Sequence, residues 1–198
     1  MSDGDAAEDI MSATYRALCT HGYAGLTMQD IADESSKSKA ALHYHYDSKH
    51  DLLCAFLDYL YEQFVERTAD LDADGPLDEL LARIDVVLQK SEDEPETFET
   101  ALLEIRAQAP YEPGFRERLQ RFETYLVGEF TAVLEAGMTD GTFAADIEPE
   151  DTARFLVTVL TGASTERVTV GHSVECTRRM LRSYVRHHLL AEPEALEA

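Results

Sequence analysis

The chain has 198 residues, 44% of them apolar, and 39 acidic against 17 basic side chains for a formal net charge of −22. That length holds one ordinary domain plus a small one with a buried core, and no apolar run approaches the ~18 residues of a membrane span. Asp3, Asp5, Glu8 and Asp9 precede any apolar run, which argues against a secretory leader, and three widely spaced cysteines (Cys19, Cys54, Cys176) suit a reducing, cytoplasmic setting rather than a disulfide framework.

Taken in chain order, the pattern is helical throughout. Ile10, Ala13, Ala17 and Leu18 form an apolar stripe that ends at Gly22, a glycine placed as a C-cap. Thr27 stands where an N-cap belongs, with Asp30 three positions on and Ile31-Ala32 as the apolar face, a capping box with Asp in place of Glu or Gln. Glu34-Ser35-Ser36-Lys37 contains no apolar residue and leads to Ser38, a second N-cap, so the chain turns and restarts at Lys39. The restarted helix has about seven residues before Asp47. At ~1.5 Å per residue it is roughly 10 Å long, a rod that fits a major groove ~12 Å wide. Ser48 caps the next helix, with Asp51 at its third position and Lys49 near its first amides, an end suited to phosphate.

That next helix is expected over 48–68, with Leu52, Phe56, Leu60 and Phe64 as its stripe. Leu71 to Pro76 is a break. Further helices are expected at about 76–91, 96–109, 113–136, 149–170 and 174–190, punctuated by Glu94-Pro95, Pro110 to Pro113, Gly137 to Pro149 and Gly171 to Ser173. No strand-like alternation or internal repeat interrupts them. The fold expected is all-α, with about nine helices.

Two short helices joined by a polar turn, followed by a third helix start, make a helix-turn-helix, in which the second helix enters the DNA major groove. The segment resembles the DNA-binding domain of the tetracycline-repressor (TetR) family of transcriptional regulators. It keeps that family's pattern at Thr27, Ile31, Ala32, Ser38, Lys39, Leu42, Tyr44, His45, Tyr46, Ser48, Lys49, Leu52 and Leu53, and at the upstream His21-Gly22-Tyr23 junction. Departures lie at Ser36 and Lys37, where the family has gly-val, and at Ala40 and Ala41, where it has gly-thr. The resemblance implies a DNA-binding domain over 1–53 and an effector-binding and dimerisation domain over 54–198. It also implies a homodimeric repressor on a palindromic operator of double-stranded DNA, whose small-molecule effector changes the separation of the two heads.

On this reading the groove-facing residues are Lys39, Ala40, His43 and Tyr44, because Leu42 and Tyr46 are needed by the core. Ala40 offers only methyl contact. Thr27, His45 and Lys49 position the head on phosphates, and Lys37 and Ser38 flank the start of the reading helix. The charge is at odds with such a partner, since phosphate binding rests on basic residues. Position answers it in part: three of the four lysines, Lys37, Lys39 and Lys49, fall in the reading segment, with Lys90 the exception. Residues 1–50 still hold eight acids against Arg16 and those three lysines, so the positive face is local. Few lysines and abundant acids resemble the proteins of salt-loving archaea that hold molar potassium, where a Debye length of ~3 Å at 1 M screens distant acids. The alternative, favoured by the net charge, is a dimeric small-molecule-binding or protein-interaction module that has lost DNA binding.

Two stripes suit dimerisation: Phe155, Val159, Leu160 and Ala163 on the helix over 149–170, and Leu181, Tyr184, Val185 and His188 on the last one. Both can equally be intramolecular core. An effector cavity can be lined by Glu104, Arg106, Gln108, Tyr111, Phe115, Tyr125, Glu166 and Arg167, each of which can also be a solvated face or core edge. No cofactor or metal is expected. His43 and His45, two apart on a helix, diverge, as do His187 and His188, and His172 with Cys176 makes only two ligands. No activated nucleophile, glycine-rich phosphate loop or paired catalytic acids stand out, so the chain reads as no enzyme.

Overall fold

The computed structural model describes residues 3–69, 71–89 and 96–192. Among them are nine α-helices: α1 Asp3–Gly25, α2 Met28–Glu34, α3 Lys39–His45, α4 Lys49–Thr68, α5 Pro76–Leu88, α6 Glu96–Gln108, α7 Pro113–Asp140, α8 Pro149–Val170 and α9 Glu175–Tyr184. A single π-helical turn over Val185–Leu189 follows. The all-α expectation and the helix count hold. The Glu94-Pro95 break and the last two residues of the helix expected over 76–91 lie outside the described residues.

Packing divides the chain into two compact units, Met1–Val65 with Glu92–Gln120, and Glu66–Ser91 with Arg121–Ala198. The first unit is the helix-turn-helix head completed by α6 and the start of α7. Ile10, Ala13, Ala17 and Leu18 of α1 are buried, with Ile31, Leu42, Leu52, Leu53 and Phe56, and with Phe98, Ala101 and Ile105 of α6. At roughly 1.5–3 kcal/mol per fully buried large apolar side chain, the α6 face is a substantial part of what holds α1 in place. The boundary expected between Leu53 and Cys54 therefore falls inside α4, and the head's core draws on residues some fifty positions downstream.

The second unit buries Leu80, Leu81, Ile84 and Leu88 of α5, Phe130, Val133 and Leu134 of α7, Ala153, Leu156 and Leu160 of α8, and Leu181, Val185 and Leu189. Arg83 joins Glu79 and, at 2.8 Å, Glu129 of α7. Arg178 and Arg182 of α9 both pair with Asp85 of α5. A lone antiparallel bridge pairs Phe143 with Leu190, with Ala144 N–H donating to Leu189 O at 2.8 Å. The helix expected to stop at 136 runs on to Asp140. Gly137 is there for space rather than for a turn: a Cβ on it would stand 2.2 Å from the Phe143 ring. Likewise α1 does not end at Gly22. It breaks there, at φ 64°, and resumes to Gly25.

Candidate nucleic-acid interface

The reading segment folds by the local rules that its residues obey. The Thr27 hydroxyl accepts from Asp30 N–H at 3.3 Å while the Asp30 carboxylate accepts from Thr27 N–H at 2.8 Å, which closes the capping box at the start of α2. The Asp30 carboxyl is held below its usual range, first by the Thr27 hydroxyl and then by the Thr27 amide. Ser38 caps α3 by accepting from Ala41 N–H at 3.2 Å. Ser48 accepts from Asp51 N–H at 3.1 Å and donates to the Asp51 carboxylate at 2.8 Å, so a carboxylate already occupies the end of α4 that was expected to suit phosphate.

The turn between α2 and α3, where Ser36 and Lys37 depart from the family pattern, is held by α1. The Asp9 carboxylate accepts from the Ser36 hydroxyl at 2.7 Å and from the Ser36 amide at 3.0 Å, and these bonds, the hydroxyl first, lower its pKa. One turn-pair further along α1, the Arg16 guanidinium meets the Glu34 carboxylate at 3.2 Å and also donates to Glu34 O at the end of α2. Ser35 closes the turn from within, accepting from Lys37 N–H at 3.0 Å. Sequence reasoning passed over Asp9, Arg16 and Glu34. Their one signal was an acid and a base seven apart on the polar face of α1.

Within α3, Leu42 alone is buried, at 0% exposure, and Lys39, Ala40, His43, Tyr44 and His45 are all exposed. Tyr44 stands out at 85%, with its ring edge-on to His45 at 5.2 Å. Ser38 and Thr27 are exposed as well, and Lys37 is half-buried. A large aromatic side chain left almost wholly in solvent beside a lysine, an alanine and two histidines is what a groove-reading helix offers before its DNA is bound.

Lys49 does something else. Its ammonium donates to Tyr23 O at 3.1 Å and to Leu26 O at 2.9 Å, and lies 4.8 Å from the centre of the Tyr23 ring. The phosphate contact expected of it gives way to an internal tie between α4 and the α1–α2 junction. Lys37 and Lys39 are left as the lysines at the reading end.

The residues expected to line an effector cavity are divided between the two units. In the first unit Phe115 is fully buried against Tyr23 and His50, with ring centres 6.1 and 4.6 Å away, so it is core rather than cavity wall. Glu104 accepts from Tyr23 N–H at 2.7 Å. Tyr111 is 80% exposed on the turn after α6. Gln108 and Arg106 are half-buried, and burial lowers the Arg106 pKa. In the second unit the Tyr125 hydroxyl meets the Thr68 hydroxyl at 3.1 Å, Arg167 donates to Leu88 O at 2.9 Å, and exposed Glu166 faces His172 at 3.6 Å.

The dimerisation stripes divide. Leu160, Leu181 and Val185 are buried within the single chain, where α8 and α9 pack on α5 and on each other, so these three belong to the monomer's own core. Phe155 is 48% exposed, His188 is exposed, and Val159, Ala163 and Tyr184 are half-buried. The rings of Phe155, Tyr184 and His188 run in a ladder, with 5.4 Å between the centres of each neighbouring pair. Among the described residues no group of three or more His, Cys, Asp or Glu is placed to hold a metal ion, and no helix is long and apolar enough to cross a membrane.

Comparison with known proteins agrees with this geometry. Residues 10–56 match the model of bacterial regulatory proteins of the tetR family, and residues 76–190 match that of the BetI-type transcriptional repressor C-terminal region. The chain is 26% identical over 172 residues to the HTH-type transcriptional repressor AcnR of Corynebacterium glutamicum, covering 82% of this chain and 86% of the relative. It is 29% identical over 153 residues to the repressor KstR2 of Rhodococcus jostii, covering 75% and 72%. The crystal structure of a TetR transcription regulator from Haloarcula marismortui superposes with a TM-score of 0.84 at 44% identity, covering 91% of this chain and 95% of that one. The chain therefore belongs to the TetR family of DNA-binding transcriptional regulators.

Proposed function

We propose that this regulator is a cytoplasmic repressor that binds a palindromic operator as a homodimer and releases it on binding a small-molecule effector. The observation that carries the reading is the exposed face of α3. Tyr44, His43, Lys39 and Ala40 are presented together on a helix anchored only by Leu42, and they form the base-reading set. Thr27, Lys37, Ser38 and His45 surround that face and take phosphates. A seven-residue reading helix touches too few bases to discriminate alone. Two heads on half-sites about one helical turn or more apart supply the missing contacts.

The Phe155–Tyr184–His188 ladder, with Val159 and Ala163 beside it, is the dimerisation face. The effector is held in the C-terminal region that matches the BetI-type repressor model. Release is a population shift: an effector that binds the DNA-incompetent state a hundredfold better changes the balance by ~2.7 kcal/mol. The acid-rich composition and the 44% identity to the Haloarcula protein support a working solvent of high salt. Sedimentation of the protein with a labelled operator duplex tests the assembly. Two chains per duplex are expected, and one chain per duplex at saturation would contradict the proposal.

A further inference from the structure

The DNA-reading head is completed by a carboxylate 81 positions downstream of the residue it holds. With Gly22 out of helical conformation at φ 64° and ψ 175°, the amide that follows the break, Tyr23 N–H, donates to Glu104 Oε2 of α6 at 2.7 Å. A hydrogen bond from a backbone amide to an ionised carboxylate is among the stronger kinds, and this one is partly buried. The same residue is gripped elsewhere: its carbonyl accepts from Lys49 of α4 at 3.1 Å, its ring lies under the Lys49 ammonium, and its edge meets Phe115 of α7. Tyr23 is thus a hub on which three helices converge, and it lies four residues before Thr27, the N-cap of α2.

The glycine at the break is needed for the approach. A Cβ at position 22 would stand 3.1 Å from Glu104 Oε2, and the positive φ is strained for any L side chain. Two independent features, an amide aimed at the carboxylate and a glycine that lets the carboxylate in, fit one task. From them we infer that Glu104 is a positioning residue for DNA reading: it sets the angle at which α2 and α3 leave α1, and so the pose of Tyr44 and its neighbours toward the groove. The inference rests on the DNA-binding assignment of α3. It replaces the pocket-lining role expected of Glu104, and it makes a helix outside the reading segment part of the reading apparatus.

Fluorescence anisotropy with the operator duplex, in molar potassium chloride and well below every variant's melting temperature, tests it. Glu104→Ala should weaken DNA binding by 20-fold or more while sedimentation still shows the wild-type assembly. Glu104→Gln keeps a carbonyl oxygen in reach of Tyr23 N–H and should recover affinity to within about fivefold. Gly22→Ala should resemble Glu104→Ala. Phe98→Leu, a change on the same helix at a ring that packs on Tyr15 and Phe56, should bind DNA as wild type does. Unchanged affinity in Glu104→Ala, or an equal loss in Phe98→Leu, would overturn the inference and leave the DNA-binding reading standing. Failure of the wild-type protein to bind any DNA would instead remove that reading and this inference with it.

Discussion

The Lys49 ammonium stands 2.9 Å from the carbonyl oxygen of Leu26, and with its second bond to Tyr23 O it ties the first turn of α4 to the loop that starts α2. Lys49 is thereby a stability residue of the head. Since hydrogen bonds to charged groups contribute about 1.5–3 kcal/mol, Lys49→Met should lower unfolding stability by about 2 kcal/mol in a denaturant titration. Were Lys49 chiefly a phosphate contact, the same variant would keep its stability and lose only DNA affinity.

Asp9 gives the turn between α2 and α3 a defined response to acid. Its pKa is depressed in the folded chain by the Ser36 hydroxyl and amide, so the stability it contributes is fully present above the ordinary carboxylate pKa. That stability is lost as pH falls through the lower, folded value. Melting temperature followed from pH 5 down to pH 2 should therefore fall less steeply in Asp9→Asn than in wild type. Parallel curves would remove Asp9 from the clamp.

Tyr44 should matter to DNA and to little else. At 85% exposure its truncation removes almost no buried surface, so Tyr44→Ala should stay within about 0.5 kcal/mol of wild-type stability. Loss of one good base contact costs about 1–3 kcal/mol, so operator affinity should fall roughly 5- to 150-fold. Wild-type affinity in this variant would take Tyr44 out of the reading set.

The salt dependence of DNA binding should be shallow. With Lys49 internal, Lys37 and Lys39 are the lysines of each head that can displace counterions. A dimer then neutralises about four phosphates, and the slope of log affinity against log salt is no steeper than about −3.6. Cations taken up between acidic surface and phosphate flatten it further. A slope near −7 would mean that a basic surface other than α3 dominates.

Charge placed on the ring ladder should separate the proposed dimer. Phe155→Glu replaces a ring that packs on Tyr184 with a carboxylate, at a position that is 48% exposed in the single chain. Light scattering should show a shift from dimer to monomer with helical content unchanged. A dimer that persists would move the interface elsewhere.

Much of the head was legible because its determinants are local. Thr27 with Asp30, Ser38, and Leu42 among exposed neighbours follow rules that span three or four residues, and the structure obeys each one. What was hidden depends on partners remote in sequence. Lys49 and Glu104 look like surface charges until α1 and α6 are folded around Tyr23. Gly137 looks like a turn until the Phe143 ring fills the space beside it. The dimer stripes were divided for a related reason. Periodicity finds an apolar face but does not say whether α5 or a second chain covers it, and for Leu160, Leu181 and Val185 the cover is the chain itself.

Footprinting of the purified protein on the DNA upstream of its own gene, in molar potassium chloride, bears most directly on the central claim. Protection of two half-sites related by a two-fold, lost in Tyr44→Ala and retained in Phe155→Tyr, is the predicted result. Uniform cleavage of that DNA at every salt concentration, with the effector removed by unfolding and refolding, would contradict the account.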